Sequence, residues 1–253
     1  MTDEKIRLVK SLVSSIPELT LGQMHWIERV VSVFREEHQF TIHRSDLFDE
    51  DVLRNFGEAM RVHHSFSVEP FSKDKFEYIL VTVLKLSGRK ADLAPKGNPG
   101  HDATIDGVKI SLKTQADKSI SEHQLWISKF MELGKGQWND NPDDLEGLRQ
   151  QFLSHMQSYD RILVLRALEK VPRWKYELVE IPKDLLSRAR YGRLEMRLHS
   201  RQIPKPGYCY VDDENGQNLF NLYFDGGTER KLQIKNLRKD RCRVYAVWEF
   251  LIP

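Results

Sequence analysis

The most informative part of the chain reads HDATIDGVKISLKT over residues 101–114, two alternating runs on either side of Asp106-Gly107. An Asp-Gly pair in this position predicts a β-hairpin with a two-residue loop, because both loop residues of the favoured turn need positive φ. A loop of this length fixes the register, so we expect Asp102 opposite Ser111, with Lys113 one diagonal step away. Because side chains alternate along a strand, an acid and a lysine then share one face of the strand pair.

A carboxylate beside a lysine suits metal-assisted hydrolysis of a phosphodiester. Asp102 offers the oxygen ligands that a hard divalent cation prefers, and the Lys113 ammonium is placed to orient and acidify an attacking water. The alternative is that this polar face is simply solvated, as is usual for an antiparallel hairpin with one exposed side. The spacing of the residues leaves both interpretations open.

The chain has 253 residues, of which 40% are hydrophobic and 30% charged, and its mean hydropathy is −0.53. These values are typical of a globular protein, and we expect one continuous domain with helical residues 1–70 packed on a core of residues 71–253. The start of the chain does not resemble a secretory leader, and no apolar run approaches the roughly 18 residues of a membrane helix. We therefore expect a cytoplasmic protein without membrane contact. Cys209 and Cys242 lack zinc spacing and are expected to be free, buried thiols.

The first third of the chain is predicted to be helical. We expect helices capped by Thr20, Ser45 and Ser72, the last of which ends at Gly88 and carries an apolar face at helical spacing. A longer helix is expected from about residue 143 to 159, and strands are expected at 125–127, 161–165, 176–181, 208–211, 219–224, 231–237 and 243–250. Strands mixed with helices in this order predict an α/β or α+β fold, a mixed β-sheet flanked by helices.

Glu77 is the third candidate residue for the site. It lies in the second turn of the helix capped by Ser72, the last helix before the hairpin, so it can lean toward the sheet and complete a metal's oxygen shell. The alternative is a solvated acid with a weak benefit from the helix dipole.

Positive charge is concentrated near the C-terminus, although the formal net charge of the whole chain is only +2. Seven lysines and arginines lie between Arg230 and Arg243, against the single acid Asp240. A local basic stripe of this kind is typical of contact with phosphates, so nucleic acid is the partner we expect, with a solvated strand pair as the alternative.

Several stretches resemble a known family. Pro99-Gly100-His101-Asp102, followed by Lys113, resembles the site motif of the PD-(D/E)XK nucleases, whose fold is a mixed sheet flanked by helices. A more specific likeness to SmaI-like type II restriction endonucleases extends from about Ser45 to the C-terminus. It is carried by the words NPGHD (98–102), LKT (112–114), MELGKG (131–136), PKPGY (204–208), YFDGG (223–227) and ERKLQIK (229–235).

The resemblance implies a homodimeric, magnesium-dependent enzyme that cuts both strands of a short palindromic, G·C-rich site in double-stranded DNA, of the CCCGGG kind. It also implies that Asp102 and Glu77 hold Mg²⁺, that Lys113 lies beside the nucleophile, and that the backbone carbonyl of Leu112 joins the metal shell. Ser111 departs from the superfamily motif, which has Asp or Glu there. Either Glu77 supplies the missing charge or the site holds its metal more weakly.

Bases must be read by residues outside this motif. On the strand predicted at 231–237, alternation places Lys231, Gln233 and Lys235 on one face, where lysine can donate to guanine, and Arg230 can form a bidentate contact with guanine. A solvated surface is the alternative interpretation.

A second set of candidate DNA contacts is Lys129, Glu132 and Lys135. In this set Glu132 can accept a hydrogen bond from the amino group of cytosine. The same alternative of a solvated surface applies.

Two other functions fit the same residues. A repair or resolving nuclease would cut by DNA structure, without a fixed fragment pattern. A DNA-binding protein on an inactive nuclease fold would shift DNA in a gel yet leave it intact with Mg²⁺, and Ser111 would be the sign of lost metal binding.

Overall fold

The chain folds around two β-sheets, one of seven strands and one of five, in a computed structural model that describes residues 2–95, 97–98, 100–117, 120–134 and 138–252. The helices are α1 Asp3–Ser15, α2 Leu21–Arg35, α3 Glu50–His64, α4 Lys73–Leu86, α5 Asp144–His155 and α6 Lys183–Ser187. The strands are β1 His38–Ile42, β2 Ala91–Leu93, β3 Ala103–Ile105, β4 Val108–Gln115, β5 Gln124–Glu132, β6 Arg161–Glu169, β7 Arg173–Glu180, β8 Arg193–Met196, β9 Gly207–Asp212, β10 Asn218–Phe224, β11 Lys231–Arg238 and β12 Arg243–Leu251. The predicted mixed α+β class is confirmed.

The seven-stranded sheet has the order β1-β12-β7-β6-β4-β3-β2. Its β4–β6 pair is parallel and its other pairs are antiparallel, so the sheet is mixed as predicted. The β3–β4 hairpin has the expected register, with Ile105 opposite Val108 and Thr104 opposite Lys109. Both residues of its loop, Asp106-Gly107, have positive φ (48° and 88°), which is the geometry that made this pair informative.

Two of the three predicted helix caps are confirmed. Thr20 caps α2 in a full capping box, and Ser72 caps α4 by accepting from the backbone nitrogen of Lys75. Ser45 was expected to cap α3, but Asp49 does so.

The misplaced cap has a local physical reason. The Ser45 hydroxyl accepts from the backbone nitrogens of Leu47 and Phe48, both at 3.0 Å, and so stabilises a turn in place of a helix start. Leu47 and Phe48 are buried in the core, and the helix begins only after them. The carboxylate of Asp49 then accepts from the backbone nitrogen of Val52 at 2.8 Å.

The seven-stranded sheet is covered on both faces. Helices α3 and α4 enclose one hydrophobic core against it, and α5 with the five-stranded sheet, order β5-β11-β10-β9-β8, encloses a second. Strand β6 serves both cores, since Leu163 lies in the first and Ile162 and Val164 lie in the second. The second sheet was not foreseen. On the polar side of β4, Ser111, Lys113 and Gln115 are shielded from water, whereas Lys109 at the start of the strand is exposed.

Two smaller findings complete the fold. Both cysteines are free, as predicted, and Cys209 is buried. None of the described helices is both long enough and apolar enough to cross a membrane.

Candidate active site

Asp102 lies immediately before β3, where the hairpin opens. Its Oδ2 accepts from the backbone nitrogen of Leu112 at 2.6 Å and from the Ser111 hydroxyl at 3.3 Å. Its own backbone nitrogen donates to the Ile110 carbonyl at 2.8 Å. The carboxylate is therefore fixed by the backbone of the neighbouring strand, and its other oxygen, Oδ1, faces Lys73.

Lys113 and Ser111 lie on the shielded side of β4, with only 9% and 1% of their surface exposed. The interpretation of a merely solvated face is therefore wrong for these two residues. The Lys113 Nζ lies 3.9 Å from the Asp102 Oδ2, too far for a direct hydrogen bond, and 5.7 Å from the ring centre of Phe130 on β5. Burial lowers the pKa of Lys113 to about 8, against the opposing effect of the Asp102 charge. At pH 7 the side chain is therefore mainly protonated, but it loses its proton at a lower pH than an exposed lysine does.

Glu77 and Asp102 meet at one ammonium group. The Lys73 Nζ lies 2.6 Å from the Asp102 Oδ1 and 3.2 Å from the Glu77 Oε1. The acid on α4 and the acid on the hairpin therefore converge, as expected from the sequence. Burial raises the pKa of Glu77, and the charge of Lys73 opposes that effect. Burial lowers the pKa of Lys73, but its bonds to both carboxylates outweigh it, so the net shift is upward.

Lys73 was missed by the sequence analysis. The available signal was its position four residues before Glu77 on a predicted helix, where oppositely charged side chains are neighbours.

A cleft of about 380 Å³ opens beside the two carboxylates, and Lys73, Glu77, His101 and Asp102 are among its lining residues. On the shielded side lies Tyr159, whose hydroxyl is buried without a hydrogen-bond partner among the described residues. Burial raises the pKa of this hydroxyl, and the charge of Asp102 adds to the effect. Tyr159 was also missed, because its proximity to Asp102 depends on contacts between distant parts of the chain.

The donor set fits a hard divalent cation. Mg²⁺ takes oxygen ligands, usually one or two carboxylates together with water and phosphate oxygens. Asp102 and Glu77 supply two carboxylates that already share one cation, Lys73. Among the residues that the structure describes, no three Asp, Glu, His or Cys side chains converge on one point, so the remaining ligands would be backbone carbonyls, water or substrate oxygens.

The two predicted sets of DNA contacts lie on paired strands. Strand β11 pairs with β5, which places Lys231 opposite Glu132. On β5 the Lys129 Nζ lies 2.8 Å from the Glu132 Oε1, and Lys129 is close enough to Lys73 for their charges to interact. The second set therefore lies within electrostatic range of Lys73, which pairs with both carboxylates. Lys135, its third member, lies outside the described residues, as does Pro99 of the motif.

The alternation predicted for β11 is confirmed, since Leu232 and Ile234 are fully buried on its other side. Gln233 accepts from the Trp126 indole at 3.3 Å and donates to the Asp225 Oδ2 at 3.0 Å, so its amide orientation is held. The Lys235 Nζ lies 3.9 Å from the ring centre of Tyr223.

Arg230 precedes β11 with a positive φ of 41°, and its carbonyl accepts from the backbone nitrogen of Leu133 at 2.7 Å. The ends of β5 and β11 are thereby joined at the position where the two candidate sets meet.

A mixed sheet flanked by helices, with two carboxylates converging beside a buried lysine, defines a restriction-endonuclease-like fold with a candidate nuclease site. Residues 12–250 match the SmaI family, described as type II site-specific deoxyribonuclease. The chain is 45% identical over 226 residues to the type II restriction enzyme SmaI of Serratia marcescens, a match that covers 88% of this chain and 89% of that enzyme. No solved structure matches the chain significantly. The chain therefore belongs to the SmaI family of type II restriction endonucleases, and the resemblance seen in the sequence is confirmed.

Proposed function

We propose that this type II restriction endonuclease is a Mg²⁺-dependent homodimer that cuts both strands of a short palindromic, G·C-rich site of the CCCGGG kind. The observation that carries the proposal is the convergence of the Asp102 and Glu77 carboxylates on the Lys73 ammonium, beside the buried Lys113. The identity to a type II restriction enzyme over most of both chains supports the choice of substrate. Incoming DNA is met in the cytoplasm, which is where we propose that the protein acts.

Asp102 and Glu77 are the proposed side-chain ligands of Mg²⁺, and the backbone carbonyl of Leu112 is a proposed third. The bound ion would supply positive charge that acidifies the attacking water and stabilises the charge developing on the phosphate. The hydrogen bonds from Leu112 and Ser111 hold the Asp102 carboxylate in one orientation, so no conformational search precedes binding. This fixed orientation is the role we assign to Ser111 in place of an acid.

Lys113 is the proposed partner of the attacking water. Because burial brings its pKa to about 8, a larger share of Lys113 is neutral near pH 8 than for an exposed lysine, and the neutral amine can take a proton from the water as the new phosphorus–oxygen bond forms. The scissile phosphorus–oxygen bond breaks in the same displacement, and solvent protonates the leaving oxygen of the DNA. Lys73 has a different role, since its ion pairs balance the negative charge of the two carboxylates.

DNA contact is assigned to the joined ends of β5 and β11. Lys129 and Lys231 are proposed to contact phosphates, and Arg230 is proposed to read guanine from the major groove. Gln233, Lys235, Glu132 and Lys135 complete the proposed DNA-contacting set. A palindromic site asks for a two-fold symmetric protein, in which each subunit cuts one strand.

The test is digestion of a sequenced plasmid with Mg²⁺ or with EDTA, followed by mapping of the ends. Wild type is expected to give defined ends at a G·C-rich palindrome with Mg²⁺ only, and Lys113→Ala is expected to give none. Lys85→Ala is the matched control, because Lys85 is a half-exposed lysine on the same helix as Glu77 and pairs only with Asp92 among the described residues. Scattered cuts would favour a structure-directed nuclease, binding without cleavage would favour an inactive DNA-binding protein, and equal cleavage by Lys113→Ala would contradict the proposed site.

A further inference from the structure

Helices α1 and α2 leave an unusual amount of apolar surface uncovered. No residue of α1, all of which are described, is buried, and Val33 is the single buried residue of α2. Eleven large apolar side chains between Leu8 and Phe34 are more than a third exposed. Scattered apolar residues are ordinary on a protein surface, but this many on two consecutive helices indicate an interaction site.

The exposed residues of α2 form one stripe. Its inner side packs on the protein, since Val33 is buried, Trp26 contacts Phe66 with ring centres 5.3 Å apart, and Arg29 donates to the carbonyl of Ser65. At 100° per residue, the opposite side carries an apolar row at helical spacing. The row consists of Leu21, Met24, Ile27, Val31 and Phe34.

Helix α1 repeats this arrangement. Leu8 and Leu12 of α1 and Ile16, directly after the helix, follow one another at a spacing of four, and their exposed fractions are 49%, 64% and 45%. Together the two helices expose apolar surface on the order of 1,000 Å² per subunit, compared with the roughly 800 Å² that each partner contributes to an interface of standard size. The area is sufficient for a stable dimer.

The α2 stripe is self-complementary under a two-fold axis. If two copies of α2 lie antiparallel and cross near Ile27, Leu21 of one meets Phe34 of the other, and Met24 meets Val31. An isologous interface requires this reciprocity, in which residue i contacts j and j contacts i.

The inner side of α2 contacts the connection between α3 and α4, and α4 carries Lys73 and Glu77. Ser65 and Phe66, which contact α2, are followed within a few residues by Ser72 and Lys73 at the beginning of α4. Phe66 and Val68 of this connection are themselves exposed, by 52% and 73%, and add to the exposed apolar surface.

We infer that α1 and α2 form the two-fold interface with a second copy of this chain, an inference that rests on the proposed cutting of both strands. The test is sedimentation velocity of the full chain at about 0.1 to 50 μM, which compares the oligomeric state of wild type with that of Ile27→Asp. In a dimer this substitution would place two carboxylates close to each other at the two-fold axis. Wild type is expected to be a dimer, and Ile27→Asp is expected to raise the dimer dissociation constant by at least about 100-fold. Leu198→Asp, at a similarly exposed apolar residue far along the chain, is the matched control and is expected to stay dimeric.

Circular dichroism establishes that each variant is folded, and if Ile27→Asp is not, Leu12→Asp provides the same test on α1. A monomeric wild type would overturn the inference, as would a folded variant that dimerises like wild type. Plasmid cleavage separates this result from the proposed function. If wild type is monomeric but cleaves DNA sequence-specifically, the proposed function stands and the interface is refuted. If wild type dimerises, Ile27→Asp does not, and wild type fails to cut DNA, the interface stands and the proposed function is refuted.

Discussion

Lys113 on β4 and Lys129 on β5 show how two neighbouring regions use the same residue type differently. Lys113 is shielded between the two sheets, and burial lowers its pKa to about 8. The side chain of Lys129 is half exposed, and its hydrogen bond to Glu132 raises its pKa. The first lysine is suited to exchanging a proton, and the second keeps its charge for a phosphate. The layer that covers β4 therefore separates the proposed proton transfer at Lys113 from the proposed DNA contact at Lys129.

The largest effect is expected from removing the buried lysine. Lys113→Ala should lower the single-turnover cleavage rate by at least about 10³-fold, because proton transfer and positioning at the attacking water are lost together. DNA affinity, measured by fluorescence anisotropy in Ca²⁺, should change by less than about threefold. Lys129→Ala should instead weaken DNA binding and change the single-turnover rate little. Equal losses of affinity in both variants would contradict the different roles assigned to the two lysines.

A smaller loss of cleavage activity is expected from a substitution of Glu77, one of the two carboxylates that pair with Lys73. Glu77→Gln should lower cleavage by about 100-fold at low Mg²⁺, and part of the loss should be recovered at high Mg²⁺, since one ligand charge is missing. Titration with Mn²⁺ by calorimetry should show weaker binding in the absence of DNA. Glu132→Gln is the control from the exposed region, and an identical Mg²⁺ dependence of the two variants would contradict the assignment of Glu77.

Replacing Lys113 should stabilise the fold although it abolishes activity, whereas replacing Lys129 should leave stability nearly unchanged. The pKa of Lys113 is lower in the folded chain, about 8, than its ordinary value of 10.5, so the unfolded chain binds this proton more tightly. Protonation therefore costs stability at pH values below about 8, and the cost disappears as the pH rises through 10.5. Lys113→Met should gain on the order of 2 kcal/mol at pH 7, while Asp102 keeps its pair with Lys73.

Urea unfolding without divalent cations, at pH 7 and again near pH 10, measures that gain and its decline. Lys129→Met, at the exposed lysine, should stay within about 0.5 kcal/mol of wild type at both values. A destabilised Lys113→Met at pH 7 would show that burial does not penalise the charge as the structure indicates.

The smallest effect is expected at one proposed phosphate contact. Lys231→Ala should weaken DNA binding by about five- to tenfold on every sequence and lower the slope of log affinity against log salt by about 1. Arg230→Ala should instead lose discrimination at one base pair, worth about 1–3 kcal/mol. Binding to oligonucleotides at several salt concentrations distinguishes the two, and a sequence-dependent loss in Lys231→Ala would assign it to base reading.

Local rules accounted for the hairpin and for most of the secondary structure. The Asp106-Gly107 loop, the caps at Thr20 and Ser72 and the alternation of β11 depend on residues a few positions apart, which the sequence displays directly. Short elements such as β1, β2 and β8 were missed because their few residues carry too weak a pattern, and their strand partners supply the missing stabilisation. The prediction of a Ser45 cap was wrong because Asp49, four residues later, is an equally suitable capping residue, and the turn at Ser45 places Leu47 and Phe48 in the core before the helix begins.

Much of the candidate site could also be predicted, since a two-residue loop fixes which residues lie opposite each other, and this placed Asp102 near Lys113 before any fold was known. The chain order of helix and hairpin likewise suggested Glu77. Residue order could not reveal the second sheet that buries Lys113, the ammonium of Lys73 between two acids, or Tyr159 on the shielded side. The sequence by itself determined which reactive groups the site contains. Only the tertiary structure decided their protonation, because desolvation and ion pairing arise from contacts between segments far apart in the chain.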